Sequence, residues 1–295
     1  MLDSRIARIG TVVLALVVAA PWAGASDQAV AISIDIHARR VAPGEAVVVD
    51  VDAPAGAARV DVQAFDTTTA AYALGPARWQ AIVGVDLDQP AGPSVLAVVV
   101  EGFGRSERTL DVETRQFPTR RLRVAPAFVN PPAAVQARIA GDSRLLERVY
   151  AAPSVERLWS RGFRRPVPHP ANSRFGTRSV FNGEPRNPHT GTDFLSPAGT
   201  PIRAPQAGRA VVARDLYFSG RTVILDHGLG VFSQLAHMSR IDVDEGAMVE
   251  SGQVVGLVGA TGRVTGAHLH WGMRVNGARV DPLSLVELLP MDHTP

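Results

Sequence analysis

The sequence predicts a mainly β protein with an N-terminal immunoglobulin-like β-sandwich, a helical connector and a C-terminal antiparallel β domain. Short alternating β-branched runs fill residues 29 to 130, one stretch of helical period follows, and from about Arg165 the pattern returns to short strands and glycine turns. At 295 residues, with 46% hydrophobic and 20% charged, the chain is long enough for about two domains, each with its own core.

The first residues, "MLDSRIARIG TVVLALVVAA PWAGAS", place Arg5 and Arg8 before an apolar run from Ile9 to Ala20, then Pro21, then the small residues Ala23, Gly24 and Ala25. This reads as a secretory signal over residues 1–25, cleaved after Ala25. An uncleaved anchor is disfavoured because the apolar run is shorter than the ~20 residues needed to cross a bilayer. Export is therefore expected, with the periplasm as destination and no stable membrane insertion after cleavage. The chain has no cysteine. Its fold must therefore rest on apolar burial or on a metal, and a lipid-modified cysteine is excluded.

Residues 26–130 supply the sandwich, in runs such as "EAVVVDVDAP", "WQAIVGVDL" and "SVLAVVVEGF". Pro43-Gly44, Pro54-Ala55-Gly56 and Pro90-Ala91-Gly92 separate them at the spacing of β turns. Asn130-Pro131-Pro132 ends this pattern and opens the connector, residues 131–164. There Leu145, Leu146, Val149 and Tyr150 form an apolar stripe, with Asp142 or Ser143 expected to cap its start. The sandwich could be a spacer, a targeting domain or a restraint; rigid docking by this connector would let it cover a groove in the following domain, and a fragment beginning near Arg165 is then expected to hydrolyse a small soluble peptide faster than the whole mature chain. Residues 165–290 make the C-terminal β domain and 291–295 a tail.

All 30 basic residues are arginine. The net charge of +2, with no long arginine run, gives no nucleic-acid signature. The missing lysine removes a P-loop reading of "GATGRVTG", which looks instead like a turn before a strand. It also removes a lipoyl or biotinyl carrier reading of "VESGQVVGLVG". No G-x-S-x-G elbow supports a serine hydrolase.

The chemistry gathers in histidines. His268 and His270 stand at i and i+2 in "AHLHWG", so on a strand they share a face. His189 and Asp193 stand four apart in "HTGTD", and His237 lies in "QLAHMS". Four imidazoles and one carboxylate are an adequate inventory for a catalytic zinc site, which takes three protein ligands and leaves two side chains for proton chemistry. Spacing alone does not assign which three. Asp226 and His227 are expected to shape a strand end, Arg174 to meet a carboxylate or pack at a groove edge, and His37, His169 and His293 to be structural or superficial.

The segment from about Ser173 to Pro282, with H-x-x-x-D paired to H-x-H, resembles the LytM or lysostaphin-like family of zinc metallopeptidases, which cut peptidoglycan peptides. Residues 40 to 130 more loosely resemble the β-rich domain that precedes the peptidase in some bacterial members. The resemblance implies Zn2+ held by His189, Asp193 and His270, with His237 and His268 as catalytic residues beside the open position. It implies an endopeptidase whose partners are the peptide stems and crosslinks of the cell wall. Many relatives carry tyrosine two residues before the histidine matching His237, where this chain has Leu235, so a hydroxyl there is expected to be lost. A noncatalytic wall-binding regulator of a separate amidase is the competing reading, and the complete ligand set argues against it.

Overall fold

The structure is a computed structural model that describes residues 32–123, 131–160, 162–173 and 175–291. The expected leader, Arg174 and His293 lie outside the described residues.

Alternation does build the sandwich. Its strands are β1 (Ser33–His37), β2 (Ala46–Asp52), β3 (Val60–Ala64), β4 (Thr67–Ala70), β5 (Tyr72–Ala73), β6 (Arg78–Gly84), β7 (Gly92–Val100) and β8 (Gly104–Val112). One antiparallel sheet runs β1-β2-β6-β5 and the other β4-β3-β7-β8. In β3, Val60, Val62 and Ala64 are buried while Asp61 and Gln63 are partly exposed, the period of two that a sheet with one covered face requires. Val49, Val62, Val83, Leu96 and Val98 fill the space between the sheets.

β9 (Thr119–Leu122) leaves the sandwich and pairs in parallel with a strand of the C-terminal domain, Ser179 opposite Arg120. Helix α1 spans Ala133–Tyr150. Its N-cap is Pro132 rather than Asp142 or Ser143, because Ala133 to Ala140 are mostly good helix formers and Pro132 ends the extended chain before them. Asp142 instead accepts the backbone N–H of Tyr217 at 2.7 Å, and Ser143 donates to the Ile139 carbonyl at 3.0 Å. Leu146, Val149 and Tyr150 pack as expected, on buried Val212, Ile224 and Phe232. Beyond the helix the connector is a strap: the Ser154 N–H and hydroxyl both donate to Asp226, and the Leu158 N–H donates to the His227 carbonyl.

The C-terminal domain contains β10 (Ala171–Ser173), β11 (Arg178–Phe181), β12 (Glu184–Arg186), β13 (Gly191–Phe194), β14 (Pro201–Arg203), β15 (Gly208–Leu216) and β16 (Gly220–Gly228). It continues with β17 (Val231–Ile241), β18 (Met248–Val249), β19 (Val254–Val258), β20 (Leu269–Val275), β21 (Ala278–Val280) and the short helix α2 (Pro282–Leu288). The main sheet runs β10-β13-β20-β17-β16-β15-β18, with β19 joining β17 to β14 and β21 closing on β20. Its core holds Phe163, Phe194, Leu235, Leu269 and Trp271, and Ala46 and Ile82 of the sandwich belong to the same cluster.

The sandwich is thus packed onto the β20-β21-α2 side. The Ala46 N–H donates to Ser284 Oγ at 3.0 Å, and the Asp281 N–H donates to the Gly44 carbonyl at 2.7 Å. Arg39 bridges Glu45 and Asp281, and Arg279 reaches back to Asp86 and Asp88.

Candidate metal centre and active site

β13 and β20 are antiparallel neighbours with Asp193 directly opposite His270, so the two side chains rise from one face. His189 precedes β13 on an extended segment, its N–H donating to the Thr177 carbonyl and its carbonyl accepting from Gly176. The result is a triangle of ligand atoms. His189 Nε2 lies 3.0 Å from Asp193 Oδ1 and 3.0 Å from His270 Nδ1, and His270 Nδ1 lies 2.9 Å from Asp193 Oδ1. Among the described residues this is the group of histidine and carboxylate side chains placed to hold a metal ion.

The donor set fits zinc. Two imidazoles and one carboxylate are borderline ligands of the catalytic type, and tetrahedral bonds of ordinary zinc length separate ligand atoms by about 3.3 Å, a few tenths more than observed. Burial opposes ionisation of Asp193, but hydrogen bonds from His189 and His270 outweigh it and hold the carboxyl well below the usual range. Burial also lowers the His270 pKa, against the pull of Asp193. Asp193 is thus held as the carboxylate and His270 is biased towards the neutral imidazole, the forms that a metal requires.

Room for this triangle comes from glycine. A Cβ on Gly191 would lie 2.6 Å from His270 Nε2 and 2.5 Å from the Trp271 carbonyl oxygen. The glycine of "HTGTD" is thus part of the site, a role that the motif alone does not disclose.

His237 arrives by a different device. Val231–Ala236 of β17 pair with β20, whereas Met238, Arg240 and Ile241 pair with β19, so the strand changes partners at His237. On the β16 side, Leu235 to Met238 takes three steps while Val223 to Arg221 takes two, which is a bulge. His237 occupies it with φ 66°, a left-handed conformation that costs a non-glycine residue about 1–2 kcal/mol. Its N–H donates to the Ser219 carbonyl at 2.9 Å and its Nδ1 lies 3.0 Å from the Thr261 carbonyl. His268 Nδ1 lies 2.9 Å from the Gly266 carbonyl. A carbonyl only accepts, so both rings carry their proton on Nδ1 and leave Nε2 to the site. The two rings stand 4.8 Å apart, and His268 Nε2 is 3.9 Å from Asp193 Oδ1. Burial, reinforced by His270 and His268, pushes the His237 pKa down to about 4.

The loop "GATGRVTG" is therefore more than a turn: it supplies the carbonyls that orient both histidines. Nothing in its glycine spacing announced this. The side chains of His189, Asp193, His268 and His270 retain 19%, 20%, 16% and 14% exposure.

Other candidates fall outside the cluster. His227 is fully buried, with Nδ1 2.7 Å from the Ala207 carbonyl and Nε2 2.9 Å from Ser233 Oγ, and Asp226 holds the connector strap. His37 pairs with Asp50, and His169 meets Ser196 Oγ. Leu235 is fully buried in the core, where it packs and presents nothing to the metal cluster.

A mainly β chain carrying this histidine and aspartate cluster falls in the class of metallopeptidases. The model of peptidase family M23 matches residues 187–282. A crystal structure of a peptidase M23 from Pseudomonas aeruginosa shares 33% identity at a TM-score of 0.66, over 84% of this chain and 95% of that one. The protein belongs to peptidase family M23. Among curated relatives, the peptidoglycan DD-endopeptidase ShyA of Vibrio cholerae is 36% identical over 145 residues, 48% of this chain and 31% of ShyA. The DD-carboxypeptidase/endopeptidase Mpg of Neisseria meningitidis is 42% identical over 97 residues, 33% of this chain and 22% of Mpg. The chain thus spans a minor part of either relative's length.

Proposed function

We propose that the protein is a zinc-dependent endopeptidase that hydrolyses peptide crosslinks of bacterial peptidoglycan during cell-wall remodelling. The observation that carries this reading is the triangle of His189 Nε2, Asp193 Oδ1 and His270 Nδ1, with His268 Nε2 3.9 Å from Asp193 Oδ1 and the His237 ring centroid 5.9 Å from that of His270. The names of ShyA and Mpg support the D-alanyl to diaminopimelate bond over polyglycine as the bond cut. The leader over residues 1–25 would deliver the mature chain to the periplasm, where that substrate lies.

His189, Asp193 and His270 would hold the zinc, whose Lewis acidity polarises a carbonyl and acidifies water. With the proton on Nδ1, His237 and His268 each present an Nε2 lone pair that can take a proton from the attacking water. Once protonated, either ring can stabilise the oxyanion or return the proton to the leaving amine. The carbonyls of Thr261 and Gly266 fix ring orientation, so little reorganisation is needed when the substrate arrives. The test is digestion of defined muropeptides by metal-replete protein, with fragments identified by mass spectrometry and metal counted by elemental analysis. Cleavage at the crosslink with about one zinc per chain is expected. Full cleavage by chelator-treated, metal-free protein overturns the reading.

A further inference from the structure

The loop between β19 and β20 does more than present the Thr261 carbonyl to His237. The Thr261 hydroxyl is engaged twice: it donates to the Met238 carbonyl at 2.7 Å and accepts the Arg221 N–H at 2.9 Å. Met238 and Arg221 stand opposite one another on β17 and β16, at the point where the register of that pair slips. One side-chain oxygen therefore bridges the two strands beside the bulge that carries His237.

We propose that Thr261 is a positioning residue whose hydroxyl locks this loop to the β16–β17 bulge and thereby fixes which ring nitrogen of His237 is free to take a proton. The inference rests on the peptidase reading above and deepens it by a residue that acts only through another.

The contacts close into a circuit. The His237 N–H donates to the Ser219 carbonyl, and two residues on, the Arg221 N–H donates to Thr261 Oγ1. Thr261 then returns to β17 twice, through its hydroxyl to Met238 and through its carbonyl to His237 Nδ1. A left-handed residue such as His237 persists only where its surroundings over-determine it, and here its own N–H and the carbonyl of the next residue are both held. The segments also meet backbone to backbone. A Cβ on Gly220 would collide with the Thr261 carbonyl carbon, and one on Gly262 with the Gly220 nitrogen. Both glycines sit at positive φ, 63° and 77°, which a side chain would strain. Only a hydroxyl donates and accepts from one atom, so alanine breaks the bridge and serine keeps it. An imidazole released from the Thr261 carbonyl exchanges between its two tautomers. The one with its proton on Nε2 has no lone pair there for the attacking water.

The test reads the nitrogen chemical shifts of the His237 ring in the zinc-loaded chain, at a pH well above the ordinary imidazole pKa of about 6.5. Zinc content and the hydrolysis of a crosslinked stem-peptide dimer are measured alongside. The wild-type ring is expected to carry its proton on Nδ1 alone. Thr261→Ala is expected to move both nitrogens towards the average of the two tautomers and to lower kcat about 10- to 100-fold, with KM and zinc content unchanged. Thr261→Ser is expected to restore the shifts and kcat together. A wild-type ring protonated on Nε2 overturns the proposal without recourse to any variant. Wild-type shifts in Thr261→Ala overturn it too, as does a serine variant that behaves like alanine, since the methyl group and not the hydroxyl would then be what matters. Shifts that follow the hydroxyl in a chain that cleaves nothing support the lock and instead overturn the peptidase reading.

Discussion

Gly191 and His270 face each other so closely that a single methyl group on the glycine would lie 2.6 Å from the imidazole Nε2. The ring cannot retreat freely, because its Nδ1 is fixed between His189 and Asp193. Gly191→Ala is therefore expected to weaken metal affinity by about 10- to 100-fold, the usual effect of disturbing groups that orient a ligand. Competition with a fluorescent chelator measures it. Wild-type affinity in the variant would mean that the strand pair relaxes without moving His270.

The two histidines of "HLH" should separate by experiment. His270→Ala removes a corner of the triangle and is expected to lose metal and activity together. His268→Ala leaves all three ligand atoms in place and is expected to keep most of the metal while losing on the order of 10²- to 10⁴-fold in rate. Elemental analysis beside kinetics distinguishes them, and a metal-free His268→Ala protein would reverse the assignment.

His227 makes a different kind of prediction, on stability. Burial holds its pKa at about 4, below the 6.5 of an exposed imidazole. Between those values the unfolded chain binds a proton that the folded chain does not. Stability is therefore intact above pH 6.5, falls as pH drops towards 4, and the loss levels off below, at roughly 3 kcal/mol. His227→Asn can still donate to the Ala207 carbonyl but does not titrate. Urea unfolding of metal-free protein at pH 7.5 and pH 5 should show a smaller difference for the variant than for the wild type. An equal difference in both rejects the assignment to His227.

How much of this was legible in the sequence depended on whether a residue's role is periodic or relational. Alternation such as that of Val60, Val62 and Ala64 reports burial directly, so the sandwich could be read strand by strand. The H-x-H pair and H-x-x-x-D were legible for the same reason, since an extended chain puts alternate positions on one face. The left-handed turn of His237 was not, because it arises where β17 exchanges β20 for β19, a choice of partners that no local pattern encodes. The helix start was not legible because apolar periodicity marks only the partly buried, packed end of α1. Its first turns have little to bury and depend on intrinsic propensity.

The contact between Arg39 and Asp281 makes the sandwich part of the metal site's support, and it reverses the expected outcome of removing that domain. Arg39 lies 2.8 Å from Glu45 and 3.0 Å from Asp281, and the Glu45 side chain is only 4% exposed. Asp281 also accepts the Thr192 hydroxyl at 3.2 Å, next to the ligand Asp193, and caps α2 through the Leu283 N–H. Arg39→Met leaves Glu45 with Arg115 as its remaining cation and Asp281 with none of its ion pairs. Breaking a buried pair from one side is expensive, and here about 3 kcal/mol of unfolding stability is expected to go, the low end of the range because Arg115 remains. Zinc affinity should fall with it, since Thr192 loses a fixed acceptor beside Asp193. A fragment beginning near Arg165 loses this network together with Ala46 and Ile82 of the shared core, so it is expected to be less stable and less active than the whole chain. Urea titration of Arg39→Met, paired with chelator competition, checks both effects. Wild-type values in both would mean that the sandwich is a passive spacer, and a faster fragment with full zinc would restore a covering role.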